Sequence, residues 1–183
     1  MVESQDMFSA GRFILRPYLH SDAAEMGAAV RESTGTIGRW MSWAKPDFSD
    51  YDAICWFESC NQSRAASTAH EFGIFTTEGQ FVGGAGLNQF SPANKLCNLG
   101  YWVRQSRQRS GAATAAVLAL RDLGLARLQL ARIEIVVAEG NAASLGVARK
   151  SGAVYECLAK NRLQVHGKPV AAHVFSFTQD AEG

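Results

Sequence analysis

The sequence predicts an α+β domain whose sheet is mixed and mostly antiparallel, and three observations carry that expectation. Strand-like and helix-like segments follow one another in the order β-α-α-β-β-β-α-β-α-β-β. One strand-like run, Leu99-Gly100-Tyr101-Trp102-Val103-Arg104, turns through the small-residue loop Gln108-Arg109-Ser110-Gly111-Ala112-Ala113 into a helix. That helix leads on to a second short β-branched run. Only the two strands flanking this helix need lie parallel, because a crossover joins them. At 183 residues and 47% hydrophobic content the chain fits one domain with a sizeable core.

Residues 13–17 form a first strand, which Pro17 ends. His20-Ser21-Asp22 offers an N-cap for a helix running to about Glu32. The segment 33–49 holds Gly35, Gly38 and Pro46 together with Trp40, Met41 and Trp43. Ser49-Asp50-Tyr51-Asp52 fits a capping box, and Ala53, Trp56, Phe57 and Cys60 give the next helix an apolar face. Strands at 71–76 and 81–89 follow, joined by a hairpin at 77–80. The glycines of Gly83-Gly84-Ala85-Gly86 lie inside an apolar strand and read as a bulge or as close strand packing. After Ser91-Pro92-Ala93-Asn94 come the strand at 96–104, the loop, a helix at about 114–125 and a strand at 131–138. Glu139-Gly140-Asn141 breaks that strand, a helix at 142–151 stops at Gly152, and a hairpin at 154–177 turns near His166-Gly167-Lys168. Without repeats or linkers, the expected domain spans 12–178, with an N-terminal extension at 1–11 and a C-terminal tail at 179–183.

The loop at 108–113 has the makings of an anion site. The first turn of a helix carries unpaired N–H groups and a partial positive charge. Small residues at 111–113 let phosphate oxygens approach that backbone closely. The chain has no G-x-x-x-x-G-K-[ST] stretch, so a P-loop is not the source. The spacing Q-x-x-G-x-A between strand and helix resembles the pyrophosphate loop of the GNAT superfamily of acetyl-CoA-dependent N-acetyltransferases. Asn141-Ala142-Ala143-Ser144, at the head of a helix ending in glycine, resembles that superfamily's second motif, N-x-x-S. Gly100-Tyr101-Trp102-Val103 and Trp40-Met41-Ser42-Trp43 are similar to the RimJ/RimL-like branch, the ribosomal-protein N-terminal acetyltransferases. The resemblance covers about residues 13–177 and implies the GNAT fold, with its central parallel strands splayed around the pantetheine arm of acetyl-CoA.

Acetyl transfer from a thioester to an amine needs a grip on coenzyme A, a neutral amine, an oxyanion site and a proton for the thiolate. The resemblance implies that the loop Gln108, Arg109, Ser110, Gly111, Ala112, Ala113 and Thr114 cradles the pyrophosphate. It implies too that the backbone of Tyr101, Trp102 and Val103 meets the pantetheine and thioester, while Asn141 and Ser144 bond the cofactor's amide and sulfur. Arg109 stands where glycine is common in this branch, and reads either as a phosphate partner or as a solvated loop arginine. Many members carry a tyrosine acid four residues before the terminal glycine; Ala148 stands there, which leaves Ser144 or a water to protonate the thiolate. Asn98 and Gly140 occupy positions where the branch often has glutamate, so the candidate base is Glu139. Glu71, Glu134 and His173 remain as further candidates on strands, where each reads more readily as a surface or interstrand residue, and a water chain to a distant carboxylate is an alternative. Trp40, Trp43 and Asn88 are candidates for the acceptor pocket, with the 161–168 turn near its wall.

The expected reaction is direct attack of a primary amine, most simply the α-amine of a peptide or protein N-terminus. A small amine acceptor and a non-catalytic acyl-CoA-binding module are the alternatives. A net charge of +1 without a basic run argues against a nucleic-acid surface. Apolar runs fall short of the ~18 residues that span a membrane, and the first residues lack the order of a signal peptide, so a cytoplasmic monomer or homodimer is expected. Cys55, Cys60, Cys97 and Cys157 form no C-x-x-C pair and are expected as buried free thiols. The four histidines have no metal-ligand spacing, so no metal is expected.

Overall fold

The computed structural model describes residues 7–179. The start of the expected N-terminal extension, residues 1–6, and most of the expected tail, residues 180–183, lie outside the described residues. The elements are β1 (Phe8–Ala10), β2 (Phe13–Arg16), α1 (Ala23–Glu32), α2 (Asp50–Ala65), β3 (His70–Thr76), β4 (Phe81–Ser91), β5 (Leu96–Val103), α3 (Ala112–Asp122), β6 (Arg132–Ala138), α4 (Ala142–Lys150), β7 (Val154–Val165) and β8 (Lys168–Thr178). They build one eight-stranded sheet in the order β1-β2-β3-β4-β5-β6-β8-β7. Every neighbouring pair is antiparallel except β5 and β6, which the α3 crossover makes parallel. The expected α+β class holds.

Each face of the sheet carries its own core. On one side α3 and α4 cover Leu15, Phe72, Ile74, Leu87, Cys97, Leu99, Ile133, Ile135 and Phe175. On the other, α1 and α2 bury Tyr18, Met26, Phe57, Phe75, Phe81 and Trp102. Alternation along β5 explains the split, since Cys97 and Leu99 point one way and Trp102 the other.

Four local expectations are corrected. Phe8–Ala10, read as part of an extension, is an edge strand paired with Phe13–Leu15. Asp22 does not cap α1; its carboxylate accepts from Nη1 and Nη2 of Arg16 at 2.8 Å and from the N–H of Leu19. A bidentate ion pair outcompetes a helix cap for the same oxygens. Trp56, expected on the buried face of α2, is half-buried, whereas Ala53, Phe57 and Cys60 are inside. Of the four free cysteines, Cys60 and Cys97 are buried but Cys55 and Cys157 are exposed. The capping box of α2 forms as its spacing predicts, with Asp52 N–H donating to Ser49 Oγ at 3.1 Å and Ser49 N–H to Asp52 Oδ2 at 2.7 Å.

Candidate active site

The parallel pair opens a cleft. β5 and β6 are in register only at Leu96–Arg132, Cys97–Ile133 and Asn98–Glu134. From Leu99 to Val103, β5 pairs with β4 alone, so the strands part and the backbone of Tyr101, Trp102 and Val103 borders the gap.

At the mouth of the cleft the chain turns sharply into α3. Arg109 (φ 61°) and Gly111 (φ 85°) both take left-handed conformations. Gly111 is the N-cap of α3, and no side chain caps the helix there. The first bond of the helix runs from Ala115 N–H to Gly111 O, which leaves the N–H groups of Ala112, Ala113 and Thr114 without intrahelical partners. A Cβ on Gly111 would meet nothing within 4 Å, so the space above the turn is open. Ser110 Oγ is buried with no partner among the described residues. An anion with several oxygens fits the three N–H groups. Arg104 is committed elsewhere, to Glu32 at 2.7 Å, and that contact holds the Glu32 carboxyl down at about 2. Arg107 bonds to Gln80. The exposed Arg109 side chain makes no ion pair with any described residue, and Gln108 donates to Val103 O at 3.5 Å.

Across the cleft stands the head of α4. Asn141 Oδ1 accepts from Ser144 N–H at 3.2 Å and so caps the helix. The Tyr101 hydroxyl, coming from β5, lies 2.9 Å from Ser144 Oγ and 3.1 Å from Ser144 O. Burial pushes the Tyr101 phenol up to about 12. Ala148 is fully buried and offers no hydroxyl, so Tyr101 supplies the only phenol bonded to Ser144 among the described residues.

A cavity of about 590 Å³ lies against β3, β4 and β5 on the side of α1 and α2. Tyr101 and Trp102 line it, so β5 has the cleft along its edge and the cavity against its face. The floor is cleared by glycines. A Cβ on Gly86 would come within 2.0 Å of the Glu71 carboxylate, and one on Gly84 within 2.6 Å of Tyr18 Oη and 2.7 Å of Trp102 Nε1. Gly100 has nothing closer than 3.8 Å and is open. The expected close packing of the 83–86 glycines is this arrangement.

A polar ladder crosses the floor over three strands. Asn98 Nδ2 donates to Asn88 Oδ1 at 2.9 Å, and Asn88 Nδ2 donates to Glu71 Oε1 at 2.9 Å. Burial raises the Glu71 carboxyl above its usual range, against the opposing effects of Asn88 and Arg64. An amide that both donates and accepts fixes the carboxylate in one orientation.

Of the acceptor candidates, Trp43 and Asn88 line the cavity. Trp40 does not; its ring instead lies beside Gly140, where an added Cβ would stand 3.7 Å from it. Gly140 has φ 86°, a conformation that disfavours glutamate at that position. Glu139 is exposed at the end of β6 and is not on the cavity wall. The carboxylates on the wall are Glu71 and Asp52. Glu71, which by sequence ranks as a surface or interstrand residue behind Glu139, is therefore the stronger functional candidate. Its register opposite Gly86 was the available signal, since a carboxylate facing glycine has room to turn inward. Glu134 is held by Arg132 at 3.0 Å and Arg162 at 3.2 Å, and His173 packs beside Tyr155. The hairpin turn reaches the 33–49 loop through His166 Nε2 and Gly38 O at 2.8 Å. Among the described residues no group of three or more His, Cys, Asp or Glu side chains is placed to hold a metal ion.

Comparison with known proteins gives this arrangement a context. The family described as acetyltransferase (GNAT) domain matches residues 12–154. A Bacillus subtilis protein provisionally named ribosomal N-acetyltransferase YdaF is 25% identical over 147 residues, 80% of each chain. A Vibrio cholerae structure provisionally named a ribosomal-protein-serine acetyltransferase is 30% identical, with a TM-score of 0.85 over 98% of this chain and 100% of that one. Mycobacterium smegmatis RimJ, solved in complex with a coenzyme A disulfide, is 27% identical, with a TM-score of 0.85 over 93% of this chain and 84% of its own.

Proposed function

Because the chain belongs to the GNAT acetyltransferase family, an acetyl-CoA-dependent family, we propose that it transfers acetyl to the α-amine of a peptide or protein N-terminus. The observation that carries this reading is the double position of β5: its edge borders the cleft beside the anion-binding loop, and its other face floors a cavity at Gly100. A thioester laid along the edge and an amine entering from the cavity meet at Gly100–Trp102. Relatives named for ribosomal-protein acetylation support a protein acceptor, whose setting is the cytoplasm.

The roles follow from position. The N–H groups of Ala112, Ala113 and Thr114 hold the diphosphate, and Arg109 adds charge at the exposed side. Bound acetyl-CoA supplies an activated acyl group and a leaving thiolate. An N–H on the unpaired edge of β5 stabilises the carbonyl oxygen. Glu71 receives the ammonium of the acceptor and takes its proton, for which a raised carboxyl is a better base than an ordinary one. Ser144 Oγ donates a hydrogen bond to the departing sulfur without giving up its proton; the nitrogen sheds its second proton as the amide forms, and the thiolate takes one up through solvent. Tyr101 positions that hydroxyl and is not the proton source: a thiol near 8.5 is a much stronger acid than a phenol at about 12, so net transfer from Tyr101 would run uphill.

The choice of an α-amine rests on proton affinity. Reference values are about 7.7–8.0 for an α-amine and about 10.4 for lysine. A carboxylate base must overcome that difference, roughly 2.5 units or about 3.4 kcal/mol, to use lysine. The higher nucleophilicity of lysine offsets only part of it. We expect an N-terminal peptide to be acetylated faster at pH 7.5 than its N-blocked, lysine-containing counterpart or spermidine, with rates rising from pH 7 to 8.5. Coenzyme A release measures this, and faster turnover of either rival overturns the reading.

A further inference from the structure

We infer that the acceptor cavity selects a large apolar or aromatic first residue, an inference that rests on the α-amine reading above. Three indoles line the cavity, Trp43, Trp56 and Trp102, together with Met26, Met41 and Phe48. Phe57, Phe72, Phe75, Phe81 and Phe175 are all at most 2% exposed, and the exposed rings off the cavity, Tyr51 and Tyr155, carry a polar hydroxyl that the indoles lack. Trp43 and Trp56 each remain 39% exposed, and both face this one cavity. Leaving apolar ring surface in water is unfavourable in proportion to its area, so a ligand that covers these rings is bound the more tightly.

The arrangement is a held recess and not a loose surface. Trp43 packs edge-on against Phe48 and Trp102, with ring centroids 6.2 and 5.6 Å away. Trp102 is backed in turn by Phe81 at 5.6 Å. The volume, about 590 Å³, falls in the range of sites that enclose a small molecule, about 300–1,000 Å³. Gly84 and Gly100 supply that room at the floor, next to where β5 presents its backbone.

The charged groups in the cavity are separated in task. Glu71, fixed by Asn88, provides a negative group for an ammonium. Asp52 and Lys45 also line it; Asp52 is engaged with Ser49, and Lys45 lies 3.7 Å from Asp47. An N-terminal residue carries its amine and its side chain on the same carbon. With the amine at Glu71 and Gly100, the side chain falls among the indoles. Serine or alanine there would leave Trp43 and Trp56 uncovered; leucine, methionine, phenylalanine or tryptophan would cover them.

The test is a series of peptides X-Ala-Gly-Ala-Gly with X as Ser, Ala, Leu, Phe or Trp, assayed for coenzyme A release on the unaltered protein. We expect kcat/KM to be at least tenfold higher for Phe or Trp than for Ser, and Trp56→Ala to bring that ratio to about threefold or less. Equal or faster turnover of the Ser or Ala peptide overturns this inference and leaves the α-amine reading standing. Turnover of spermidine or an N-blocked lysine peptide, with no peptide of the series acetylated, overturns both. The wild-type series decides the matter even if Trp56→Ala fails to fold.

Discussion

The cleft and the cavity flank the same strand yet are built by opposite means. On the cleft side, the groups offered for recognition are mostly of the backbone: the free N–H groups at the head of α3, the parted edge of β5 and the capped head of α4. On the cavity side it falls to side chains gathered from α1, the 33–49 loop, α2, β3, β4 and β5. A backbone site demands small residues at fixed local spacing and tolerates little else. A side-chain site can be assembled from distant positions and changed one residue at a time, so one scaffold can keep its cosubstrate and vary its acceptor.

The comparison predicts that the largest single loss comes from disturbing the backbone site. Gly111 holds φ 85°, where a β-branched residue is strained, and the space above it is the space an anion would fill. Gly111→Val should therefore weaken acetyl-CoA binding by at least about 100-fold while the chain stays folded, since an added Cβ clashes with nothing. Calorimetry on a variant with unchanged circular dichroism is the measurement. Undiminished affinity would mean the loop is not the phosphate site.

On the cavity side the sharpest probe is Glu71→Gln, expected to lower turnover by about 100-fold with little change in acetyl-CoA affinity. The pH dependence supplies a second sign. Burial raises the Glu71 carboxyl, so the base is lost as pH falls through a value above the ordinary carboxylate range, and kcat/KM of the wild type should carry a second acid limb there, apart from the one the acceptor amine sets. In the Glu71→Gln variant that limb should vanish. Stability should move the opposite way. A carboxyl raised in the folded state binds its proton more tightly than in the unfolded chain, so stability falls as pH rises from the unfolded value through the folded one. Once the pH is above the folded-state value the cost of the buried charge is fully present, and there Glu71→Gln should melt no lower than wild type. A variant that loses both activity and stability would assign Glu71 a structural role.

How much of each side was legible in the sequence follows from the same contrast. Gln108–Ala113 and Asn141–Ser144 announce themselves because a turn into a helix is a local event with its own residue requirements. The capping box at Ser49–Asp52 was readable for that reason too. Glu71 was not, because its inward turn depends on Gly86 and Asn88 of the neighbouring strand, fifteen and seventeen residues on. Trp56 has the helical spacing of a core residue, and only the cavity beside it explains why it is left half-exposed. Phe8–Ala10 is too short a strand to show a period, and its pairing with Phe13–Leu15 is a tertiary fact. Trp40 and Glu139 sat at plausible positions in the chain but do not line the cavity that Trp43 and Glu71 share.

The smallest expected effect tests the point where the two sides touch, the Tyr101–Ser144 contact. If Ser144 Oγ donates to the departing sulfur, Ser144→Ala should lower turnover by about 10- to 100-fold and leave acetyl-CoA affinity nearly unchanged. Tyr101→Phe removes no group that meets the sulfur; it removes the hydroxyl 2.9 Å from Ser144 Oγ that orients it. Its cost should be only about three- to tenfold, the worth of one positioning hydrogen bond. A merely structural loss would be added to that of Ser144→Ala, whereas a loss transmitted through Ser144 disappears once Ser144 is gone. The double variant should therefore turn over no more slowly than Ser144→Ala alone. The basic limb of the pH profile should also stay where it is in Tyr101→Phe, since a phenol at about 12 does not titrate in the working range. Additive losses in the cycle would show that Tyr101 packs the cleft and does nothing further for the reaction.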